Sequence, residues 1–220
     1  MVEKMWSLIR FIKPRGKQSF IDSVVKNGKL LDVGCGNNSP YYVKTLRPDI
    51  HYTGLDIGIY NQTSDHSAYA NEFILTDPEG FHGKIQERPN EFDAVVCAHN
   101  LEHCNDYMAV TLAMIQSLKA GGTMYISFPC EASVRFPKRA GSLNFYDDDS
   151  HRNLIPYAVF LPALKQHGME TLFAAQRYRP LIPFLAGVVL EPLSMLLKRQ
   201  IPLATWALYG FETVIISRKK

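Results

Sequence analysis

Cysteine is scarce and dispersed: the 220 residues hold four, Cys35, Cys97, Cys104 and Cys130. No two stand at Cys-x-x-Cys spacing, which excludes a zinc knuckle and a vicinal redox pair. Scattered through apolar segments, they read as free thiols in a reducing compartment. A charge bias is also lacking, since Lys+Arg 24 against Asp+Glu 21 leaves +3, too little for a nucleic-acid groove. The one basic cluster, Arg218-Lys219-Lys220, reads as a solvated tail. Long unbroken apolar runs are missing as well. The most apolar stretch, Leu181–Leu197, is interrupted by Pro183, Glu191 and Pro192, whereas a spanning helix needs roughly 20 apolar residues. Residues 1–17 alternate Trp6, Leu8, Ile9, Phe11 and Ile12 with Lys4, Arg10 and Lys13, and no small-residue cleavage site follows. A signal peptide is therefore not expected, and the reading is cytoplasmic. No internal repeat or low-complexity segment is present.

What is there is ordinary globular composition, with 46% hydrophobic residues, 14 Gly and 13 Pro, in a length that suits one domain over 1–220. Strand-like runs occur at Lys29–Val33, His51–Asp56, Glu72–Leu75, Phe92–Ala98, Thr123–Phe128, Met169–Ala174 and Phe211–Ser217. Helical patterns lie at Ser19–Lys26, Asp106–Lys119 and Pro156–His167, the last expected to split at Pro162. Strands alternating with helices predict an α/β fold with a mostly parallel sheet and helices on both faces. An N-terminal helical segment, 1–27, precedes the first strand. An apolar helical insert, about 177–210, separates the last two. Three readings of the insert stand: a cover for the core, a homodimer face, or a peripheral membrane contact through 181–209.

The strongest local signal is Leu30-Leu31-Asp32-Val33-Gly34-Cys35-Gly36. A buried strand runs into Gly-x-Gly, whose missing side chains let the backbone turn tightly and approach a ligand. The next helix then points free N–H groups at that ligand. Gly54-Leu55-Asp56-Ile57-Gly58 places an acid at the end of the second strand, where a carboxylate can accept from both hydroxyls of a ribose. A dinucleotide fingerprint would want a third glycine where Ser39 stands.

These segments, with three more in the same order, resemble the class I S-adenosylmethionine-dependent methyltransferases over residues 29 to about 175. LLDVGCG looks like the first motif and GLDIG like the second. Phe73-Ile74-Leu75-Thr76-Asp77 is similar to the third. FDAVVCAHNLEH, residues 92–103, resembles the fourth strand followed by the Leu-Glu-His signature. LKAGGTMYISFP, residues 118–129, resembles the fifth strand and its glycine turn. The resemblance implies a Rossmann-like seven-stranded sheet with an antiparallel last strand. It also implies S-adenosyl-L-methionine as cofactor. Gly34 and Gly36 would flank its methionine part, and Asp32 would fix the turn or reach the amino group. Asp56 would hold the ribose and Asp77 the adenine N6, with Ala98 and Asn100 lining the methyl-donor pocket.

Methyl transfer to oxygen or nitrogen benefits from a base on the acceptor. His99, His103 and His151 are the candidates. His151, in the loop segment Asn144–His151 after the fifth strand, is the leading one, and His99 is the second. His99, Glu102 and His103 stand at i, i+3 and i+4. Similar Glu-x-x-Glu-His segments bind a divalent ion in ubiquinone-pathway O-methyltransferases and small-RNA 3′-end methyltransferases. Here histidine replaces the first acid, and no metal is expected. The sequence thus implies a methyltransferase for a small-molecule or lipid-linked acceptor. The alternatives are a non-catalytic cofactor-binding scaffold of this fold, or an NAD-dependent oxidoreductase. A nucleic-acid acceptor is not expected, since Ala98-His99-Asn100-Leu101 stands where an Asn/Asp-Pro-Pro-Tyr segment would.

Overall fold

A computed structural model describes residues 15–220. Seven strands form one sheet in the order β3-β2-β1-β4-β5-β7-β6. They are β1 Lys29–Val33, β2 His51–Asp56, β3 Glu72–Leu75, β4 Phe92–Ala98, β5 Leu118–Pro129, β6 Met169–Ala175 and β7 Glu212–Lys219. The first five pair in parallel, and β7 enters antiparallel between β5 and β6. The helices are α1 Lys17–Asp22, α2 Ser39–Leu46, α3 Phe81–Gln86, α4 Tyr107–Ser117, α5 Tyr157–Gln166, α6 Leu181–Leu197 and α7 Ala204–Tyr209. The segment 1–14 of the expected N-terminal helical region lies outside the described residues.

The strands are apolar on both faces because helices cover both. Alternation along β1 sends Leu31 and Val33 into one core cluster, with Met114 of α4 and Phe160 of α5. It sends Leu30 into the other, with Phe20 of α1, Val43 of α2 and Tyr52. Asp32 therefore faces the α1–α2 side, and it is fully buried there.

Three local expectations shift. The helix placed over Asp106–Lys119 ends at Ser117, because Leu118 already pairs with Phe92 and starts β5 before a register irregularity. Pro162 does not split α5, which is continuous from Tyr157 to Gln166 and anchored by buried Phe160 and Leu164. Of the helical pattern after Lys198, only Ala204–Tyr209 is helical. Lys198 caps α6 in the left-handed region, and Leu203 takes φ 64 at the turn into α7. Among the described residues, no helix is long and apolar enough to cross a membrane.

Candidate active site

Strand order reverses between β1 and β4, so a crevice opens at the carboxyl ends of the strands, where open α/β sheets bind ligands. The structure has a cavity of about 110 Å³ on this side, lined by Ile57, Pro78, Phe81, Asn100, His103 and Val110 among others.

Gly34 turns the chain out of β1 at φ +76, and a Cβ there would overlap the Asn100 side chain. Its N–H donates to Leu55 O at 2.9 Å, tying the loop to the end of β2. A Cβ on Gly36 would lie 3.7 Å from Asp56 Oδ2, so the loop runs beside that carboxylate. Asp56 is buried, and its Oδ1 accepts the Ile57 N–H at 2.8 Å. Burial pushes its carboxyl above the usual range, against the backbone N–H groups of Ile57, Gly58 and Gly36 that hold it down.

Asp32 is committed inside the protein. Its Oδ2 accepts from Lys17 Nζ at 3.2 Å, from Tyr52 OH at 3.0 Å, and from the Ser39 hydroxyl in a short bond. Arg47, just after α2, ties down the C-terminal end of α1 by donating to the carbonyls of Ile21 and Val24 at 3.0 Å. Of the two roles expected for Asp32, fixing the turn is the one with visible partners. Ser39, noted in the sequence only as a missing glycine, supplies one of them.

Asp77 is exposed, and its Oδ1 closes a turn by accepting the Gly80 N–H at 2.5 Å. Ala98 ends β4 in register with Ser127. Asn100 lies over Gly34 and lines the cavity.

The histidines separate into two groups. His99 sits at φ +52 between two carboxylates, with Nδ1 3.1 Å from Glu102 Oε1 and Nε2 2.8 Å from Glu212 Oε1. Its ring also packs on Trp206 and Phe211, with centroids 5.0 and 6.1 Å away. Burial pulls its pKa down, but the bonds to Glu102 and Glu212 outweigh this and push it up to about 10. An imidazolium at neutral pH holds its proton and cannot take another. With both ring nitrogens turned to carboxylates, His99 bridges the start of β7 to the loop after β4.

His103 and His151 pack instead against each other, with tilted rings and centroids 4.8 Å apart. Their ligand atoms and a Glu102 oxygen all lie within 4.8 Å of one another. Local bonds set both tautomers. His151 Nδ1 is 2.6 Å from Phe145 O, which can only accept, so Nδ1 carries the proton. Ser150 donates to Asp148 Oδ1 at 2.5 Å and therefore accepts from His103 Nδ1 at 2.9 Å. Burial works against the Asp148 charge, but the Ser150 bonds hold its carboxyl below the usual range, as an acceptor must be. Both Nε2 atoms are left as lone-pair donors. Glu102 Oε2 is buried without a hydrogen-bond partner among the described residues. A carboxylate and two imidazoles with free nitrogens can share a proton, or hold a divalent ion of the zinc type. The sequence groups Glu102 and His103 with His99; the structure brings them together with His151, from another loop.

Burial pushes the Cys35 and Cys97 thiols well up, and Cys104 up to about 12.

The family model described as a methyltransferase domain matches residues 9–172. An uncharacterized protein of Methanocaldococcus jannaschii is 28% identical over 107 residues, 46% of this chain and 28% of that protein. A ubiquinone biosynthesis O-methyltransferase of Xanthomonas campestris is 30% identical over 101 residues, 45% of this chain and 42% of the relative. The matched stretch thus spans less than half the length of these curated relatives. A solved S-adenosylmethionine-dependent methyltransferase from Mesorhizobium loti shares the fold at TM-score 0.63 and 13% identity, over 92% of this chain and 95% of that one. The glycine turn, the sheet order and the family match converge: the chain belongs to the class I S-adenosylmethionine-dependent methyltransferases.

Proposed function

We propose that the protein transfers a methyl group from S-adenosylmethionine to a hydroxyl, or secondarily an amine, of a small or lipid-linked acceptor. The observation that carries the acceptor chemistry is His103 on the cavity wall with His151 packed against it, each with Nδ1 held by a local acceptor. The relative named for O-methylation in ubiquinone biosynthesis supports oxygen as the acceptor atom. The apolar insert supports an acceptor with an apolar body.

The residues present fit the cofactor. Asp56 presents its carboxylate at the end of β2, beside the backbone N–H groups of Ile57, Gly58 and Gly36, where it would accept from a ribose diol. Gly34 and Gly36 leave backbone exposed where a methionine moiety would lie, and Asn100 closes that side. Asp77 would meet the adenine amino group with the oxygen its turn does not use. Asp32 acts through Lys17 and Ser39, holding the loop in shape.

The bound cofactor supplies an electrophilic methyl on a sulfonium. The acceptor oxygen would take up that methyl and give up its proton. The hydroxyl proton passes to Nε2 of His151, whose Nδ1–H is fixed on Phe145 O. His103 lines the cleft and steers the hydroxyl. Alignment supplies much of the acceleration, and the base contributes roughly 10²–10⁴-fold.

A second reading rests on Glu102 Oε2, a buried carboxylate oxygen with no hydrogen-bond partner. With His103 and His151 it would hold a divalent ion, which would lower the pKa of a bound hydroxyl. Turnover of phenolic and lipid-linked hydroxyl acceptors, with and without chelator, tests both readings. The base reading predicts that His151→Ala loses roughly 10²-fold or more in kcat while S-adenosylhomocysteine binding is unchanged. Unchanged kcat in His151→Ala overturns it. Loss on chelation, restored by zinc, selects the metal reading.

A further inference from the structure

The face that α6 turns to solvent is unpartnered among the described residues, and its pattern is regular. Ile182, Leu185, Val189, Leu193 and Leu196 follow spacings of three and four. At about 100° per residue they fall within an arc of about 80°. Ile182, Val189 and Leu196 are 72, 77 and 80% exposed. The opposite side faces the protein. Glu191 there accepts both arms of the buried Arg139, at 2.9 and 2.6 Å, and Ser194 Oγ accepts from Arg139 at 2.6 Å. Gly187 packs on α7, where a Cβ would overlap Ala204 O. Leu203, in the turn between α6 and α7, is 76% exposed.

Charge frames this face. Arg177 and Arg179 precede α6, and Lys198 and Arg199 follow it, all exposed. Among the described residues, none of the four lies within ion-pair distance of a carboxylate. The one acid of 177–210, Glu191, is neutralised by Arg139. An apolar ridge with cations at both ends and its only anion turned inward is complementary to an anionic lipid surface.

We infer that α6 and the turn at Leu203 dock the protein on an anionic phospholipid bilayer, with the helix lying in the plane of the interface. The arrangement disfavours a second copy as occupant. Pairing two such ridges, parallel or antiparallel, brings cations of both copies together at each end, and like charges at an interface are unfavourable. The loop after β4 lies one helix layer beneath. α7 packs on α6, and its Trp206 stacks on His99 at 5.0 Å and on Phe211 at 4.8 Å. Docking would bring the acceptor side of the molecule to the membrane. It is read without turnover, so its failure and that of the acceptor proposal are distinguishable.

Co-sedimentation of the full chain tests this, with vesicles of phosphatidylcholine mixed with phosphatidylglycerol and with phosphatidylcholine alone. The wild type should bind the anionic vesicles, roughly tenfold or more tighter than the neutral ones, with the difference shrinking as salt rises. Val189→Glu/Leu196→Glu should lose that binding by roughly tenfold or more, given the cost of burying two carboxylates. Its S-adenosylhomocysteine affinity and melting temperature should be unchanged, because both side chains are exposed. Ile182→Glu serves as the second variant should the first lose its fold. Absence of binding to anionic vesicles, or equal binding by the variants, overturns the inference. A dimer seen by ultracentrifugation and dissolved by Val189→Glu/Leu196→Glu also overturns it, in favour of a second copy.

Discussion

The clamp on His99 makes the stability of the fold depend on pH in a direction that can be worked out. His99 spans Glu102, fully buried, and Glu212, whose side chain is 24% exposed. Its pKa is pushed up to about 10 from an ordinary 6.5. A group whose pKa is raised on folding contributes stability fully present below its unfolded pKa, and loses it as pH rises through the folded one. The contribution is therefore complete below about pH 6.5, falls across the interval to about 10, and is absent above. Three pH units within that interval correspond to a ceiling of about 4 kcal/mol at 1.36 kcal/mol per unit. A quarter of the His99 side chain is exposed, and water screens it, so about 2 kcal/mol is the expected size. The perturbation is His99→Gln, which keeps hydrogen-bonding capacity and removes the titration. The assay is urea unfolding of both proteins at pH 6.5 and 9.5, compared as a difference so that groups common to both cancel. Wild type should exceed the variant by about 3 kcal/mol at the lower pH, since two carboxylates are left facing each other without a cation. The gap should shrink by about 2 kcal/mol at the higher pH. A gap that is constant or widens with pH would refute the charged clamp.

Gly34→Ala should abolish S-adenosylhomocysteine binding and destabilise the protein by about 2 kcal/mol or more, since φ +76 and the Asn100 side chain both oppose a Cβ. Calorimetric titration and thermal melting check the two effects separately. Arg139→Met should lower stability by about 3 kcal/mol, because it leaves Glu191 of α6 without its cation. Limited proteolysis should then cut first within 131–142 or 198–203, the segments that Arg139 and the Ala140–Arg199 bridge tie together.

How much of this was legible in the sequence varies with the distance between partners. The glycine turn and Asp56 announce themselves because their signals are local: residue type, strand end and spacing lie within about 30 positions. The seven-stranded, mostly parallel sheet with its antiparallel last strand followed from the resemblance to the family. The partners of the site residues were not legible. Glu212 meets His99 across 113 positions of chain, so nothing near His99 announced that it would be charged. Lys17 and Tyr52 reach Asp32 from α1 and β2, and Ser39 was visible only as a departure from a glycine pattern. Glu102 and His103 were read as one group with His99, because helical spacing suggested it. The chain instead forms a single tight turn at Leu101–His103 with His99 outside it, and the third member, His151, comes from the loop after β5. Pro162 misled for a related reason: propensity marks a break, while buried Phe160 and Leu164 hold the helix together.

The central claim is that the crevice at the ends of β1 and β2 holds S-adenosylmethionine through Asp56. Calorimetric titration of the wild type and Asp56→Ala with S-adenosylhomocysteine, and separately with NAD, tests it most directly. The account predicts binding of S-adenosylhomocysteine and not of NAD. Loss of a charged hydrogen bond of about 1.5–3 kcal/mol should weaken that binding roughly tenfold to hundredfold in the variant. Binding of NAD alone, or equal binding of S-adenosylhomocysteine by both proteins, would contradict it.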